Sequence, residues 1–150
     1  MQDYYPEDVA HCFGCGRLNE MGHQLKTFWE GDETVSLFTP EPFHTAIPGY
    51  VYGGLIASLL DCHGTGAAAA AALRREGREI GEGEAPRYVT AQLNVTYLKP
   101  TPLGPTLEVR GTVTAITDKK VVLEETLSAD GVVTARANVV AVRMPEEMVG

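Results

Sequence analysis

Alternation of apolar and polar residues marks several short strands along the chain. In Tyr88–Leu98 every second residue from Val89 to Tyr97 is apolar, and every second residue from Thr90 to Thr96 is polar. This period of two predicts a strand with one face on a core. Further strands are predicted for Gln24–Trp29, Glu33–Thr39, Thr106–Ile116, Val121–Ser128 and Val132–Arg143.

Turn residues connect these strands. Gly31-Asp32 lies between the first two strands and predicts a hairpin, and Asp118-Lys119 and Asp130-Gly131 separate later strands in the same way. Because the connections among the last four strands are short, we expect each of these strands to pair antiparallel with its neighbour in the sequence.

One long helix is predicted from about Gly53 to about Arg75, with Gly77 as its stop signal. Projected at about 100° per residue, the positions within about 60° of Asp61 all carry small residues. These positions are Gly54, Ala57, Ser58, Gly64, Thr65, Ala68 and Ala72. The bulky residues occupy the remaining arc, so we expect them to pack on a sheet while the small face admits a partner helix, a ligand, or both.

Two strands, one long helix and four more strands predict an α+β fold in which one antiparallel sheet covers one helix. At 150 residues the chain fits a single domain, residues 1–150. Residues 1–23 are predicted to form an irregular N-terminal extension, with a short helical turn around Asn19–Met21.

Charge and composition narrow the function classes. The formal net charge of −8 and the lack of any Lys/Arg run argue against binding to nucleic acid or anionic lipid. The acidic, aromatic start has no signal-peptide pattern, so a cytoplasmic location is the default expectation. The apolar stretch at 55–73 contains Asp61 and His63, which argues against a membrane span. Three cysteines in such a chain do not predict a disulfide framework.

Asp61 is the most informative residue of the helix. A carboxylate among apolar neighbours costs several kcal/mol to desolvate unless it is hydrogen-bonded or faces a cleft. Gly64 and Gly66 each cost about 1 kcal/mol in a helix body relative to alanine. Such exceptions to good helix design are typical of functional sites. Spacing alone leaves a second interpretation open, in which Asp61 is simply exposed or bonded to a nearby backbone group.

Four segments carry a family resemblance. Pro48–Asp61 resembles a P-G-x-x-H-G-G motif followed by a helix with an acidic residue. The other matching segments are Cys12–Gly16, Thr90–Pro100 and Pro102–Gly104. Together they resemble the PaaI-like hotdog-fold acyl-CoA thioesterases of the 4-hydroxybenzoyl-CoA thioesterase superfamily. The resemblance implies an antiparallel sheet wrapped around one long central helix, and homodimers or dimers of dimers with the site between subunits.

The resemblance also implies catalytic roles. Asp61 matches the family carboxylate, which activates water or attacks the thioester carbonyl. Gly53 matches the first glycine of the G-G pair, whose amide polarises the carbonyl oxygen, and Thr90 matches the residue that positions the water. Gly53 and Asp61 lie about 12 Å apart along one helix at 1.5 Å per residue, so we expect a composite site across a two-fold dimer.

Substrate contacts are expected from Tyr52, Gly54, Thr65 and His44. Thr65 lies one turn beyond Asp61, and His44 lies in the proline-rich loop before the helix. Tyr52 is a departure from the motif, because the family usually has histidine there and tyrosine cannot replace imidazole as a base.

Other reactive residues have structural interpretations. Cys12 and Cys15 form one C-x-x-C pair near His11 and His23, whereas a structural zinc site normally has four ligands, so no metal site is predicted. Cys62 is expected to be a small core residue. His63 lies about 160° around the helix from Asp61 and is expected to pack in the core. Three basic residues are candidates to contact the phosphates of coenzyme A: Arg87, Lys99 and Arg110.

The leading functional prediction is hydrolysis of a fatty or aromatic acyl-CoA, with no cofactor beyond the coenzyme A of the substrate. A hotdog dehydratase or hydratase is an alternative, but it needs a histidine paired with the helix carboxylate, and His44 has the wrong spacing for that role. A non-catalytic acyl-CoA-binding protein is the third possibility, and Tyr52 is the feature that favours it.

Overall fold

A six-stranded antiparallel sheet wraps one long helix in the computed structural model, which describes residues 1–148. The helix, α1, spans Gly53–Arg75, as predicted. The strands are β1 (Phe28–Glu30), β2 (Glu33–Phe38), β3 (Tyr88–Tyr97), β4 (Leu107–Ile116), β5 (Lys120–Ala129) and β6 (Val132–Arg143). Short 3₁₀ helices span Gln2–Tyr4, Glu7–Val9 and Glu146–Met148. This is the hotdog architecture that the sequence predicts.

The strand order is β1-β2-β4-β5-β6-β3, so one predicted pairing is wrong. β4, β5 and β6 pair with their sequence neighbours, but β3 pairs with β6 and not with β4. The proline-rich connection after β3 is the physical reason. It pairs with the loop before α1, where Val51 N–H donates to Thr101 O and Leu103 N–H donates to Gly49 O, both at 2.9 Å, so it cannot form a tight hairpin.

The predicted Gly31-Asp32 and Asp130-Gly131 turns are confirmed, with φ values of 64° at Gly31 and 49° and 77° at the second pair. β1 is shorter than predicted. Gln24 has a φ of 51°, and the Thr27 backbone bonds to the N-terminal segment, where its N–H donates to the Gln2 side chain and its carbonyl accepts from the Met1 amine, both at 2.7 Å. The turn predicted around Asn19–Met21 forms, closed by the Gly22 N–H, which donates to the Asn19 carbonyl oxygen at 3.0 Å, but it is not helical. The Asn19 carboxamide oxygen also accepts the Met21 N–H.

A β-bulge in β3 breaks the alternation predicted for this strand. Thr90 pairs with Ala141 and Leu93 pairs with Val139, and the extra residue between them is Ala91. Ala141 and Val139 lie two residues apart on the buried face of β6, so Thr90 and Leu93 face the helix together. The prediction that Thr90 shares a face with the other polar residues of β3 is therefore wrong.

The core lies between α1 and the inner face of the sheet. All five bulky helix residues of the predicted arc are buried: Leu55, Ile56, Leu59, Leu60 and Leu73. Each contributes roughly 1.5–3 kcal/mol of hydrophobic stabilisation relative to an exposed side chain. By length and composition α1 passes the test for a membrane span, but 83% of its most apolar window is buried inside the fold, as in a core helix.

The N-terminal segment, predicted to be an irregular extension, belongs to the same core. Tyr5, Ala10 and Cys15 are buried in the cluster that contains the helix leucines. Gln2 is also buried, where its side chain accepts the Thr27 N–H at 2.7 Å and donates to the Thr27 hydroxyl at 2.8 Å. This segment therefore covers part of α1 and is fixed against it.

Candidate active site

The small-residue face of α1 is open to solvent along its N-terminal half. Gly54 is exposed, and Ala57, Ser58 and Asp61 are partly exposed, while the residues between them are buried or nearly so. The spacing of three to four residues places these positions on one stripe. Thr65, Ala68 and Ala72, farther along the same face, are buried within the chain. The open stripe therefore ends at Asp61.

Asp61 is held by Thr90. The Thr90 hydroxyl donates a hydrogen bond to Asp61 Oδ1 at 2.5 Å. This contact depends on the bulge at Ala91, because regular alternation would keep Thr90 and Leu93 on opposite faces of β3. A short hydrogen bond to an ionised carboxylate is of the stronger, charge-assisted kind. The structure thus joins two residues to which the resemblance gives catalytic roles, and Asp61 Oδ2 has no hydrogen-bond partner among residues 1–148.

Gly53 begins the helix, and the N-terminus of α1 is open. Tyr52 precedes it with extended backbone, and its side chain makes no capping hydrogen bond. A Cβ at Gly54 would overlap the Tyr52 ring, which explains the glycine there. The first N–H groups of any helix have no intrahelical acceptor and carry the positive end of the helix dipole. A ligand oxygen is therefore the natural partner for the Gly53 amide.

A cleft of about 370 Å³ adjoins this helix end. Gly53, Ile56, Tyr97 and Lys99 are among its lining residues. The Tyr97 hydroxyl donates to the Gly53 carbonyl oxygen at 2.7 Å, which fixes β3 to the start of the helix. The cleft combines an apolar wall, the backbone of the first helix residue and a cationic side chain.

Gly53 and Asp61 lie at separate points of one unbroken helix. At 1.5 Å per residue their backbones are about 12 Å apart. One thioester group is only a few ångströms long, so a single thioester cannot contact both residues within one chain.

His44 and Thr65 are committed to local contacts. The His44 ring is mostly buried, and its Nδ1 accepts the Glu41 N–H at 2.9 Å. Its backbone carbonyl accepts the Tyr52 N–H at 3.1 Å, so the His44 loop supports the start of α1. The Thr65 hydroxyl donates to the Cys62 carbonyl oxygen at 3.2 Å within the helix. Their roles in substrate contact stay predictions.

Glu125 is a second carboxyl near Asp61, and the sequence analysis missed it. It lies on the helix-facing side of β5, 2% exposed, and neither carboxyl oxygen has a hydrogen-bond partner among residues 1–148. A Cβ at Gly64 would lie 3.0 Å from Glu125 Oε1, so the helix glycine makes room for this side chain. Burial, and then the nearby Asp61 charge, raise the pKa of Glu125 well above its ordinary value. The available signal was a charged residue in the apolar register of β5, between Leu123 and Leu127.

His63 is a core residue, as its angle from Asp61 predicts. Its Nδ1 lies 2.7 Å from the Ser36 hydroxyl and its Nε2 lies 2.9 Å from the Thr34 hydroxyl. The ring is fully buried, and this burial lowers the pKa of His63 to about 3. A neutral imidazole that makes two hydrogen bonds to β2 helps to position the helix and is not a base for the Asp61 site.

Cys62 is buried, as expected, but it joins the predicted C-x-x-C pair. Its Sγ lies 3.8 Å from Cys12 Sγ, and the sulfurs of Cys12, Cys15 and Cys62 lie within 4.8 Å of one another. All three are free thiols. Hydrogen bonds from the Cys15 and Cys62 thiols lower the pKa of Cys12. Sequence spacing could not find this cluster, because Cys62 lies 47 residues after Cys15.

The three basic residues proposed to contact coenzyme A differ in the contacts they already make within the chain. Arg110 is paired with Glu30, Glu33 and Glu108 at 3.1, 3.5 and 2.7 Å. Arg87 lies over the Tyr5 ring, 4.6 Å from its centroid. Lys99 lines the cleft at the start of α1 and has no ion pair among the described residues.

A family model described as Thioesterase superfamily matches residues 48–136, which is more than half of the chain and includes Gly53, Asp61, Thr90 and Glu125. The chain belongs to the thioesterase superfamily. Mouse acyl-coenzyme A thioesterase THEM4 is 33% identical over 111 residues, which cover 73% of this chain. The chain spans only 42% of the length of THEM4.

Solved structures of thioesterase superfamily proteins agree with the fold. The thioesterase superfamily protein from Shewanella loihica PV-4 is 48% identical, with 97% of this chain and 100% of that chain covered and a TM-score of 0.73. The E. coli PaaI protein is 14% identical, with 82% and 81% covered and a TM-score of 0.65, and this likeness concerns the fold alone.

Proposed function

We propose that this protein is an acyl-CoA thioesterase with Asp61 as its catalytic carboxylate. The observation that carries the proposal is the Thr90–Asp61 hydrogen bond of 2.5 Å on the open, small-residue stripe of the central helix. Membership in the thioesterase superfamily and the likeness to THEM4 support the reaction class. Hydrolysis consumes water and an acyl-CoA and yields a carboxylic acid and free coenzyme A.

In the proposed chemistry one carboxylate oxygen of Asp61 is fixed by a hydrogen bond and the other acts as the base. Thr90 fixes Oδ1, so Oδ2 is presented to the open stripe and takes a proton from water as that water attacks the thioester carbonyl. The C–S bond then breaks, and the proton passes to the departing thiolate. Direct attack by Asp61, through a mixed anhydride that water hydrolyses, uses the same placement. Neither route needs a cofactor.

Gly53 is proposed to stabilise the negative charge that develops on the carbonyl oxygen. A backbone N–H at a helix N-terminus suits this role, because its dipole is already oriented and needs no rearrangement during the reaction. The extended, non-capping Tyr52 leaves this amide available. Tyr52 and Gly54 would then line the entrance on either side of Gly53.

A dimer would bring the carboxylate and the helix terminus together. β3 is the last strand in the sheet order, and its ten residues leave one edge without a strand partner in the described chain. A long open edge is a template for pairing with another strand. Pairing of two β3 edges about a two-fold axis would set the open stripes side by side, with Asp61 near the partner subunit's Gly53. The dimer, or a dimer of dimers, is therefore part of the proposal.

Coenzyme A is proposed to enter at the cleft by Gly53. Lys99 lines this cleft and is the basic candidate best placed for a phosphate, since Arg110 is paired with three glutamates. The acyl group, fatty or aromatic, would lie along the stripe of small residues, which leaves room for a bulky chain. The net charge of −8 gives no general attraction to the anionic phosphates of coenzyme A, so binding depends on such local contacts.

Purified full-length protein should release free thiol from at least one member of a panel of short, medium and long fatty acyl-CoAs and benzoyl-CoA. A thiol-reactive chromophore measures this release. In parallel, crotonyl-CoA is monitored for hydration, and melting temperature is measured with each acyl-CoA. Hydration without thiol release would replace the proposal with a hydratase. A raised melting temperature without turnover of any kind would replace it with a binding protein, the outcome that Tyr52 in the histidine position favours.

A further inference from the structure

Three cysteine sulfurs converge where the N-terminal segment meets the central helix. Cys12 and Cys15 come from the segment and Cys62 from α1, and all three sulfurs lie within 4.8 Å of one another. A tetrahedral ion with metal–sulfur bonds of about 2.3 Å holds its sulfurs about 3.8 Å apart. The Cys12 Sγ to Cys62 Sγ distance is 3.8 Å. This pair of sulfurs therefore already has the spacing of two ligands in a thiolate metal site, and the Cys15 sulfur lies within 4.8 Å of both.

The loop around Cys12 is shaped to bring its sulfur close to the central helix. The Gly16 N–H donates to the Cys12 carbonyl at 2.7 Å and closes the loop. A Cβ at Gly14 would overlap Cys62 Sγ, so only glycine lets the loop approach the helix this closely. This close approach of the loop to the helix places the Cys12 and Cys62 sulfurs 3.8 Å apart.

The surroundings of the cluster also fit a charged centre. Tyr5 is buried beside Cys15 and Cys62, and its hydroxyl has no hydrogen-bond partner among the described residues. Buried polar groups without partners are uncommon and need an explanation. Arg87 lies over the Tyr5 ring, 4.6 Å from its centroid, and supplies a positive charge near the cluster. A divalent cation with three thiolates carries one net negative charge, which Arg87 would balance.

We propose that Cys12, Cys15 and Cys62 bind a thiophilic divalent cation of the zinc type, which fastens the N-terminal segment to the central helix beside Asp61. Cys12 is partly exposed, so water can complete the fourth position of a tetrahedral ion. Binding converts the thiols to thiolates and releases their protons to solvent. The ion would join the N-terminal segment to the buried side of the helix, and its three protein ligands and one water differ from the usual four-ligand structural zinc site.

The test uses full-length protein purified under reducing conditions, with zinc as the probe. Metal content is measured by mass spectrometry, and affinity by competition with a chromophoric chelator after the metal is stripped. Cobalt replacement supplies a spectroscopic signature, since tetrahedral cobalt thiolates give intense charge-transfer bands. Cys12→Ser removes one ligand at a partly exposed position, Cys15→Ser removes a second ligand, and His11→Ala is the matched control because His11 is an exposed neighbour outside the cluster.

We expect about one zinc per chain in the wild type and in His11→Ala, with a higher melting temperature when zinc is bound. Cys12→Ser should weaken zinc binding by more than about 100-fold, since even loss of a supporting contact costs about 10–100-fold. The proposal is overturned if the wild type binds no stoichiometric zinc, if Cys12→Ser binds it as tightly, or if the isolated protein contains a Cys12–Cys62 disulfide. If Cys12→Ser fails to fold, Cys15→Ser and the cobalt spectrum of the wild type decide the question.

Discussion

Replacing Thr90 with valine tests the contact that prepares Asp61. Valine has nearly the same shape and suits a strand, but it cannot donate the hydrogen bond that Thr90 makes to Asp61 Oδ1 at 2.5 Å. Hydrogen bonds to charged groups contribute about 1.5–3 kcal/mol. If this whole energy acts in the transition state, kcat/KM should fall by about 10- to 150-fold.

The matched control is Thr90→Ser, which keeps the hydroxyl and removes only a methyl group. Thiol release from the best acyl-CoA of the panel is measured for wild type, Thr90→Val and Thr90→Ser, together with their melting temperatures. We expect Thr90→Ser to keep most of the activity and both variants to stay folded, because Thr90 is only partly buried. Full activity in Thr90→Val, or equal loss in both variants, would show that the hydroxyl does not position Asp61.

Three further predictions follow from buried groups and from the helix. The protein should become less stable as the pH falls from about 6.5 towards 3, because His63 binds a proton in the unfolded chain over this range and stays neutral in the folded protein. The slope in urea unfolding should reach about 1.4 kcal/mol per pH unit, and His63→Gln should flatten it. Glu125 keeps its proton in the folded state, so its stabilising effect is lost as the pH rises from the ordinary value of 4.5 towards its raised pKa. Glu125→Gln should therefore gain stability relative to wild type over that rise, and a constant difference would contradict the buried, unpaired carboxyl. Gly53→Pro removes the proposed amide at a helix position that tolerates proline, and mixing it with Asp61→Asn should restore activity by forming one intact composite site per mixed dimer. No recovery on mixing would place the whole site within one chain.

The helix was predictable because its signals are local. Leu55–Leu60 supplies bulky residues at helical spacing, small residues surround Asp61, and Gly77 follows the last turn. The same projection predicted the open stripe, which the structure confirms from Gly54 to Asp61. The burial of Ala68 and Ala72 was not predictable, since it depends on how the rest of the chain folds over the second half of the helix.

The sheet was only partly predictable because pairing depends on where connections go. Asp118-Lys119 and Asp130-Gly131 are local turns, and the pairing of β4, β5 and β6 follows from them. The connection after Tyr97 instead pairs with residues 49–51, a contact between distant parts of the sequence. The bulge at Ala91 likewise depends on the register with β6, and it decides that Thr90 faces Asp61.

Two parts of the site were not found from the sequence. Glu125 gave a weak signal, because it is a single charged residue in the apolar register of β5 and lies directly beside the charged Glu124. The cysteine cluster gave none, because the approach of Cys62 to Cys12 requires the N-terminal segment to fold onto the helix through Gly14. Both cases require tertiary contacts between side chains far apart in sequence.

The most direct test of the central claim is thiol release by Asp61→Asn. Asparagine is nearly isosteric and can still accept the Thr90 hydrogen bond, but it can neither take a proton from water nor attack the carbonyl. We predict that kcat falls by about 10²- to 10⁴-fold, the range for a missing general base, and that the melting temperature is unchanged. Asp118→Asn is the control, because Asp118 is exposed and pairs with Arg75 at 3.0 Å, outside the site. Turnover in Asp61→Asn equal to that of Asp118→Asn would contradict the account.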